Sequence, residues 1–204
     1  MIDAMPRSAF KSVPTPSAGF PPAQAYPPIS TQSLRSSMLR LLDSIHRPED
    51  TNREHVEAVM GVKMGRPLQS DRYFAYSGSV NEGWRYSVEV EPAADLSTSR
   101  VQFDLQTDNP VNFSGSLVSQ CTFALKPFLD ELRERGWEIE DKAVYPGGGR
   151  WAYDFQRQIA EHGVEVYGSV ILSSLTRGNP NQLDPDALCV TGLIIYAGAW
   201  APES

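Results

Sequence analysis

Cys121, His162 and Asp154 are the residues of this 204-residue chain whose types can be combined into a nucleophile, a base and an orienting carboxylate. Cys121 stands close to Phe123, and an apolar setting raises a thiol's pKa and blunts it as a nucleophile. Asp184-Pro185-Asp186 offers two carboxylates to a calcium ion, but a proline-interrupted acidic loop reads first as solvated. Gly147-Gly148-Gly149-Arg150 offers backbone amides to an anion, yet no helix start follows it, so a hairpin connection is the expectation. His46, His55 and His162 stand too far apart in the chain to make a local metal-ligand spacing. His-Glu-x-x-His, Gly-x-Ser-x-Gly, the phosphate loop and paired Cys-x-x-Cys do not occur. No catalytic residue, metal site or cofactor is therefore expected.

The residues that remain suit binding rather than bond-making. Tyr145, Arg150 and Trp151 flank the triple-glycine turn, and Trp84 with Arg85 follows Gly83. Tyrosine, tryptophan and arginine dominate the energetics of protein interfaces, so these five are the candidate partner-binding residues. A competing reading applies to the tryptophans. Trp84, Tyr86 and Val88 alternate, as do Trp151, Tyr153 and Phe155, which puts each set on one strand face and points both tryptophans into a core.

These positions belong to a repeated pattern of elements. Residues 1–30 hold Pro6, Pro14, Pro16, Pro21, Pro22, Pro27 and Pro28 among small and polar residues and read as a disordered leader. Residues 31–108 form a first unit. Leu34, Met38, Leu41, Leu42 and Ile45 make an apolar helical stripe from a cap at Thr31 or Ser33 through about His46. A short helix over Thr51–Met60 follows, and then strands at Asp71–Val80, Trp84–Glu91 and Arg100–Gln106. Residues 109–204 repeat the scheme with a longer helix, proper from about Leu125 and stopped by Gly136. Strands follow at Glu138–Val144, Arg150–Gln158, Val164–Ser173 and Leu188–Gly198. The last two are the most aliphatic and belong at the centre of the sheet. The expectation is an α+β fold of two helix-plus-antiparallel-sheet units, able to share one core, with helices packed on one face and the other face wet.

Thr51 followed by Val56 and Gly61 within Thr51-Asn52-Arg53-Glu54-His55-Val56-Glu57-Ala58-Val59-Met60-Gly61, ahead of antiparallel strands, resembles the helix-opening motif of the BamE (SmpA/OmlA) lipoproteins. Tandem copies of such a module are similar to the β-lactamase inhibitor protein. The resemblance covers residues 31–107, and the chain lacks that family's lipid-attachment cysteine near its start. It implies a protein-binding module rather than an enzyme.

Charge narrows the partner. The net charge is −7, made of +1 over residues 1–50 (5 basic, 4 acidic), −3 over 51–108 (6 and 9) and −5 over 109–204 (7 and 12). Such a chain repels phosphate backbones, which argues against nucleic acid and suits a basic protein. The expected function is a non-enzymatic binding module of the bacterial inhibitor or immunity-protein kind, blocking a secreted toxin or hydrolase. The alternative is a secreted effector or small enzyme with an unfamiliar site. Leu193–Ala201 is too short to span a bilayer, and Met1–Ser30 lacks a signal-peptide apolar run. As it stands the chain reads as soluble and cytoplasmic, or as periplasmic or secreted if it has been processed. Cys121 and Cys189 permit one disulfide, while their apolar neighbours favour buried thiols.

Overall fold

In the computed structural model, residues 27–67, 72–81, 83–92, 99–107, 123–144, 151–172 and 188–199 are described. Ser30 caps the first helix, α1 (Thr31–Ser44), by accepting a hydrogen bond from the Ser33 N–H. The cap thus falls one residue before the expected Thr31, because Ser30 is extended and its hydroxyl reaches the orphan amide. The apolar stripe Leu34, Met38, Leu41 and Leu42 is fully buried. Helix α1 ends at Ser44, short of His46, and a 3-10 turn over Pro48–Thr51 leads to α2 (Arg53–Met60). Asn52 caps α2 through the His55 N–H, and Gly61 closes it at φ +69°, a left-handed geometry that a side chain resists.

Strands β1 (Phe74–Val80), β2 (Trp84–Glu91) and β3 (Ser99–Thr107) form an antiparallel meander. Helix α3 (Leu125–Glu134) follows, with Pro127 inside its first turn where no amide donor is required. Its ten residues are fewer than the fourteen of α1, so the second unit does not carry the longer helix. Trp137 folds back behind Gly136 and is 3% exposed, its backbone N–H bonded to the Leu132 carbonyl. Strand β4 is only Glu138–Ile139: the polar pair Asp141-Lys142 bends the chain, and Val144 regains β5 through an isolated bridge to Ala152. Strands β5 (Ala152–Ile159), β6 (Val164–Leu172) and β7 (Val190–Ala199) complete the fold.

All seven strands belong to one antiparallel sheet in the order β1-β2-β3-β7-β6-β5-β4. The two meanders meet where β3 pairs with β7, Val101 opposite Ile195 and Phe103 opposite Leu193. This makes β7 the central strand, as its aliphatic content implied, with β6 beside it. Among the described residues the first unit contributes two α-helices and three strands and the second one α-helix and four strands, so the described parts of the halves are not copies of each other.

Alternation divides the sheet into two faces. Tyr86, Val88 and Val90 on β2 lie on the first face with Val101, Phe103 and Leu105 on β3. Leu193 and Ile195 on β7, Val164, Val166 and Val170 on β6, and Tyr153 and Phe155 on β5 complete it. All are buried in one cluster with Leu34, Met38, Val56, Phe128 and Leu132 of the helices. The second face carries Arg85, Ser87, Glu89 and Glu91 on β2, Arg100, Gln102, Asp104 and Gln106 on β3, Ile194 and Tyr196 on β7, Glu165, Tyr167, Ser169 and Ile171 on β6, and Asp154, Gln156 and Gln158 on β5. No helix among the described residues is long and apolar enough to cross a membrane.

Candidate functional site

The polar face is built in rows that cross the strands. Register aligns Glu91, Arg100, Tyr196, Tyr167, Gln156 and Glu138 across six adjacent strands. Glu91 and Arg100 form an ion pair of 2.9 Å at one end of the row, and the Gln156 amide donates to Glu138 at 3.0 Å at the other. Between them Tyr167 and Tyr196 stack, with ring centroids 5.3 Å apart and planes 18° from parallel. Tyr167 is 38% exposed, which is uncommon for a large side chain in the middle of a sheet.

A cavity of about 690 Å³ opens around this pair on the β4–β5–β6 side. Its carboxylates are Glu138, Glu140, Asp141, Asp154 and Glu165, and among the described residues no lysine, arginine or histidine lines it. Asp154 accepts a 2.6 Å hydrogen bond from the Ser169 hydroxyl, and Glu138 accepts from Gln156. Glu140, Asp141 and Glu165 have neither an ion pair nor a side-chain hydrogen bond among the described residues. Five carboxylates with no cation between them make a strongly negative concavity, and its low-dielectric walls focus that field outward. Among the described residues no three His, Cys, Asp or Glu side chains converge on a point that a metal ion could occupy. The charge is spread along the cleft instead of being focused on one centre.

A second cavity, about 420 Å³, lies between the 3-10 turn, α2 and β1, and its lining includes Glu49, Arg53, Glu54, Phe74 and Pro92. The Arg53 guanidinium lies 4.7 Å over the Phe74 ring while its Nε bonds Glu57 at 3.0 Å, so the cation at its rim is already partnered, whereas Glu49 and Glu54 beside it have no ion pair among the described residues.

The residues singled out from the sequence are dispersed. Trp84 and Trp151 are half-buried and pack against the core cluster, in keeping with their alternation with Tyr86 and Tyr153. Arg85 is exposed on the polar face of β2, three strands from the Tyr167 side of the cleft. Tyr145 and Arg150 lie outside the described residues, as do Cys121, the triple-glycine turn and Asp184-Pro185-Asp186. Cys189 is disulfide-bonded, which corrects the reading of it as a buried thiol: apolar neighbours accommodate a disulfide as readily as a thiol. Cys121 is the only other cysteine in the chain.

The histidines are not a catalytic set. His55 Nε2 is 2.7 Å from the Ser44 hydroxyl, which ties α2 to α1. His46 and His162, distant in sequence, come together edge to face at 6.2 Å, beyond the end of β5. Asp154 meanwhile bonds Ser169 in mid-strand, so the pairing of His162 with Asp154 is not assembled.

Part of the cleft's signal is present in the sequence. Glu165, Tyr167 and Ser169 alternate onto one face, as do Asp154 and Gln156. No family model, curated protein or solved structure matches the chain.

Proposed function

We propose that this protein is a non-enzymatic binding module whose cleft receives a basic stretch of another protein. The observation that carries the reading is the cluster of five unneutralised carboxylates around an exposed tyrosine. Like charges gathered without a counter-ion cost stability and are relieved by an external cation. The spread of the carboxylates along the concavity suits an extended polycation better than a compact ion. Inhibition of a secreted toxin or hydrolase, in the manner of bacterial inhibitors and immunity proteins, is the role such a cleft fits. The disulfide at Cys189 accords with an oxidising compartment, where such encounters take place.

Calorimetric titration with lysine- and arginine-rich peptides, and with an acidic peptide of equal length, tests the proposal. Basic peptides should bind, and binding should weaken as salt rises because exposed charges are screened beyond about 10 Å at 0.1 M. Combining Glu140→Gln, Asp141→Asn and Glu165→Gln should weaken binding about tenfold or more, on the scale of about 0.5–1 kcal/mol per exposed charge pair. Equal binding of acidic and basic peptides, or no binding of either, overturns the reading. So does turnover of a hydrolase substrate that those same substitutions abolish.

A further inference from the structure

Resting on that reading, we infer that the cleft selects arginine over lysine, with Tyr167 as the platform for a partner's guanidinium. The chain satisfies its own arginines in this way at two places. Arg157 lies 4.3 Å over the Trp137 ring while Asp43 stands 3.7 Å from its Nη1. Arg53 lies 4.7 Å over the Phe74 ring while its Nε bonds Glu57. Each arrangement unites a planar cation, an aromatic face and a carboxylate. The cleft holds the aromatic face and the carboxylates, and among the described residues the cation is the component it does not contain.

The geometry favours the guanidinium for three reasons. Tyr167 is backed by Tyr196 at 5.3 Å and 18°, so a ligand meets a ring already held flat instead of having to order one. Glu165 and Ser169 flank Tyr167 on the same face of β6, each about 7 Å away along the strand. A guanidinium stacked on the ring can then direct its N–H fork sideways to a carboxylate, whereas an ammonium makes no planar stack. Guanidinium also sheds water more readily than ammonium, which matters in a recess only partly open to solvent. The occupant is an arginine of an extended segment in a partner protein.

The experiment compares a capped arginine-containing peptide with its lysine-for-arginine counterpart, titrated into the wild-type protein, Tyr167→Leu and Tyr167→Phe. The arginine peptide should bind wild type about fivefold more tightly than the lysine peptide, the scale of an exposed cation–π contact. Tyr167→Leu should remove that preference and leave the salt-dependent affinity for the lysine peptide in place. Tyr167→Phe, which keeps the ring, should retain the preference. Equal affinities for the two peptides in wild type overturn arginine selection while leaving a basic partner intact. A preference that survives in Tyr167→Leu overturns the assignment of the platform. Binding of neither peptide removes the basic-partner reading and this inference with it. Because Tyr167 is 38% exposed, its substitution leaves the core untouched, and circular dichroism on each variant checks this.

Discussion

Acidic side chains are used in two opposite ways in this molecule. Around the helices Glu57, Glu131 and Asp43 are tied to cations. Glu57 accepts from the Met64 N–H at 2.6 Å, from Arg53 at 3.0 Å and from Lys63 at 3.3 Å. Glu131 pairs with Arg35 at 2.7 Å and joins α3 to α1. Asp43 pairs with Arg135 and Arg157 and joins α1 to the end of α3 and to β5. In the cleft on the polar face, Glu138, Glu140, Asp141, Asp154 and Glu165 meet no cation. The first set fastens elements that alternation and burial have already brought together. The second set fastens little: Asp154 and Glu138 take one cross-strand hydrogen bond each, from Ser169 and Gln156, while Glu140, Asp141 and Glu165 take no side-chain bond among the described residues, and that difference supports the proposed ligand cleft.

If the division holds, substitutions in the two regions fail differently. Glu57 is 8% exposed, and Glu57→Ala strands the Met64 amide and leaves Arg53 without its carboxylate. The cost should be about 3 kcal/mol, near the lower end for breaking a buried pair because Lys63 and Arg53 are partly solvated. Denaturant unfolding measures it directly. The cleft combination of Glu140→Gln, Asp141→Asn and Glu165→Gln should leave stability unchanged within about 0.5 kcal/mol, or raise it. A comparable loss from the cleft variant would erase the distinction between the two regions.

A smaller effect is expected at the joint between the first and third helices. Arg35 reaches Glu131 with both Nε and Nη2, at 3.2 and 2.7 Å, and donates to the Pro127 carbonyl at 2.6 Å. Arg35→Ala should cost about 2 kcal/mol, since the guanidinium is well covered and its bonds are charge-assisted. Arg35→Lys should recover less than half of that, because an ammonium cannot span a carboxylate and a carbonyl as a fork does. Full recovery by lysine would mean that charge alone, without the fork, holds α1 to α3.

Most of the elements that these ion pairs fasten are legible in the sequence, but the pairs of Glu57, Glu131 and Asp43 are not. Asn52, Glu54 and Gly61 bracket α2 with a cap, a first-turn carboxylate and a left-handed stop, all local devices. Strand β2 begins and ends where its alternation does, from Trp84 to Glu91. The end of α1 and the brevity of β4 were harder. Ile45 continues the apolar stripe yet adopts an extended backbone, and Val144 returns to β5 only after the bend at Asp141. The cleft was hidden for a different reason. Its residues come from β4, β5, β6 and β7, and the facing of Tyr167 and Tyr196 depends on β6 pairing with β7 in one register. Alternation shows which residues share a strand face but not which strand lies beside which. The aromatic residues at glycine turns drew notice because their neighbourhood is written in consecutive positions. The tyrosine stack is not.

The smallest effect, and the sharpest test of sign, comes from pH. Burial opposes the charge on Glu57, but the Met64 amide, Arg53 and Lys63 outweigh it and hold its carboxyl below the ordinary 4.5. The stability it contributes is complete above that value and is lost as pH falls through the lower folded value. Glu89, on the polar face of β2, behaves oppositely. Burial is the main cause, with Asp104 and Glu91 adding repulsion against the attraction of Arg100, and its carboxyl is raised above 4.5. Folding therefore favours its protonated form. As pH rises from the unfolded value through the raised folded value, Glu89 subtracts stability, and at neutral pH it remains a net burden. Glu89→Gln should raise the neutral-pH melting temperature, and the gain should shrink as pH falls from the raised folded value toward 4.5, where it is nearly gone. Glu57→Gln should lower the melting temperature at neutral pH and converge on wild type from below only as pH falls beneath 4.5 through the lowered folded value. Two pH-dependent melting curves that diverge from wild type in opposite directions at neutral pH would separate carboxylates that hold the fold from those it merely tolerates. A neutral-pH loss for Glu89→Gln would place β2's polar face on the fastening side of the comparison.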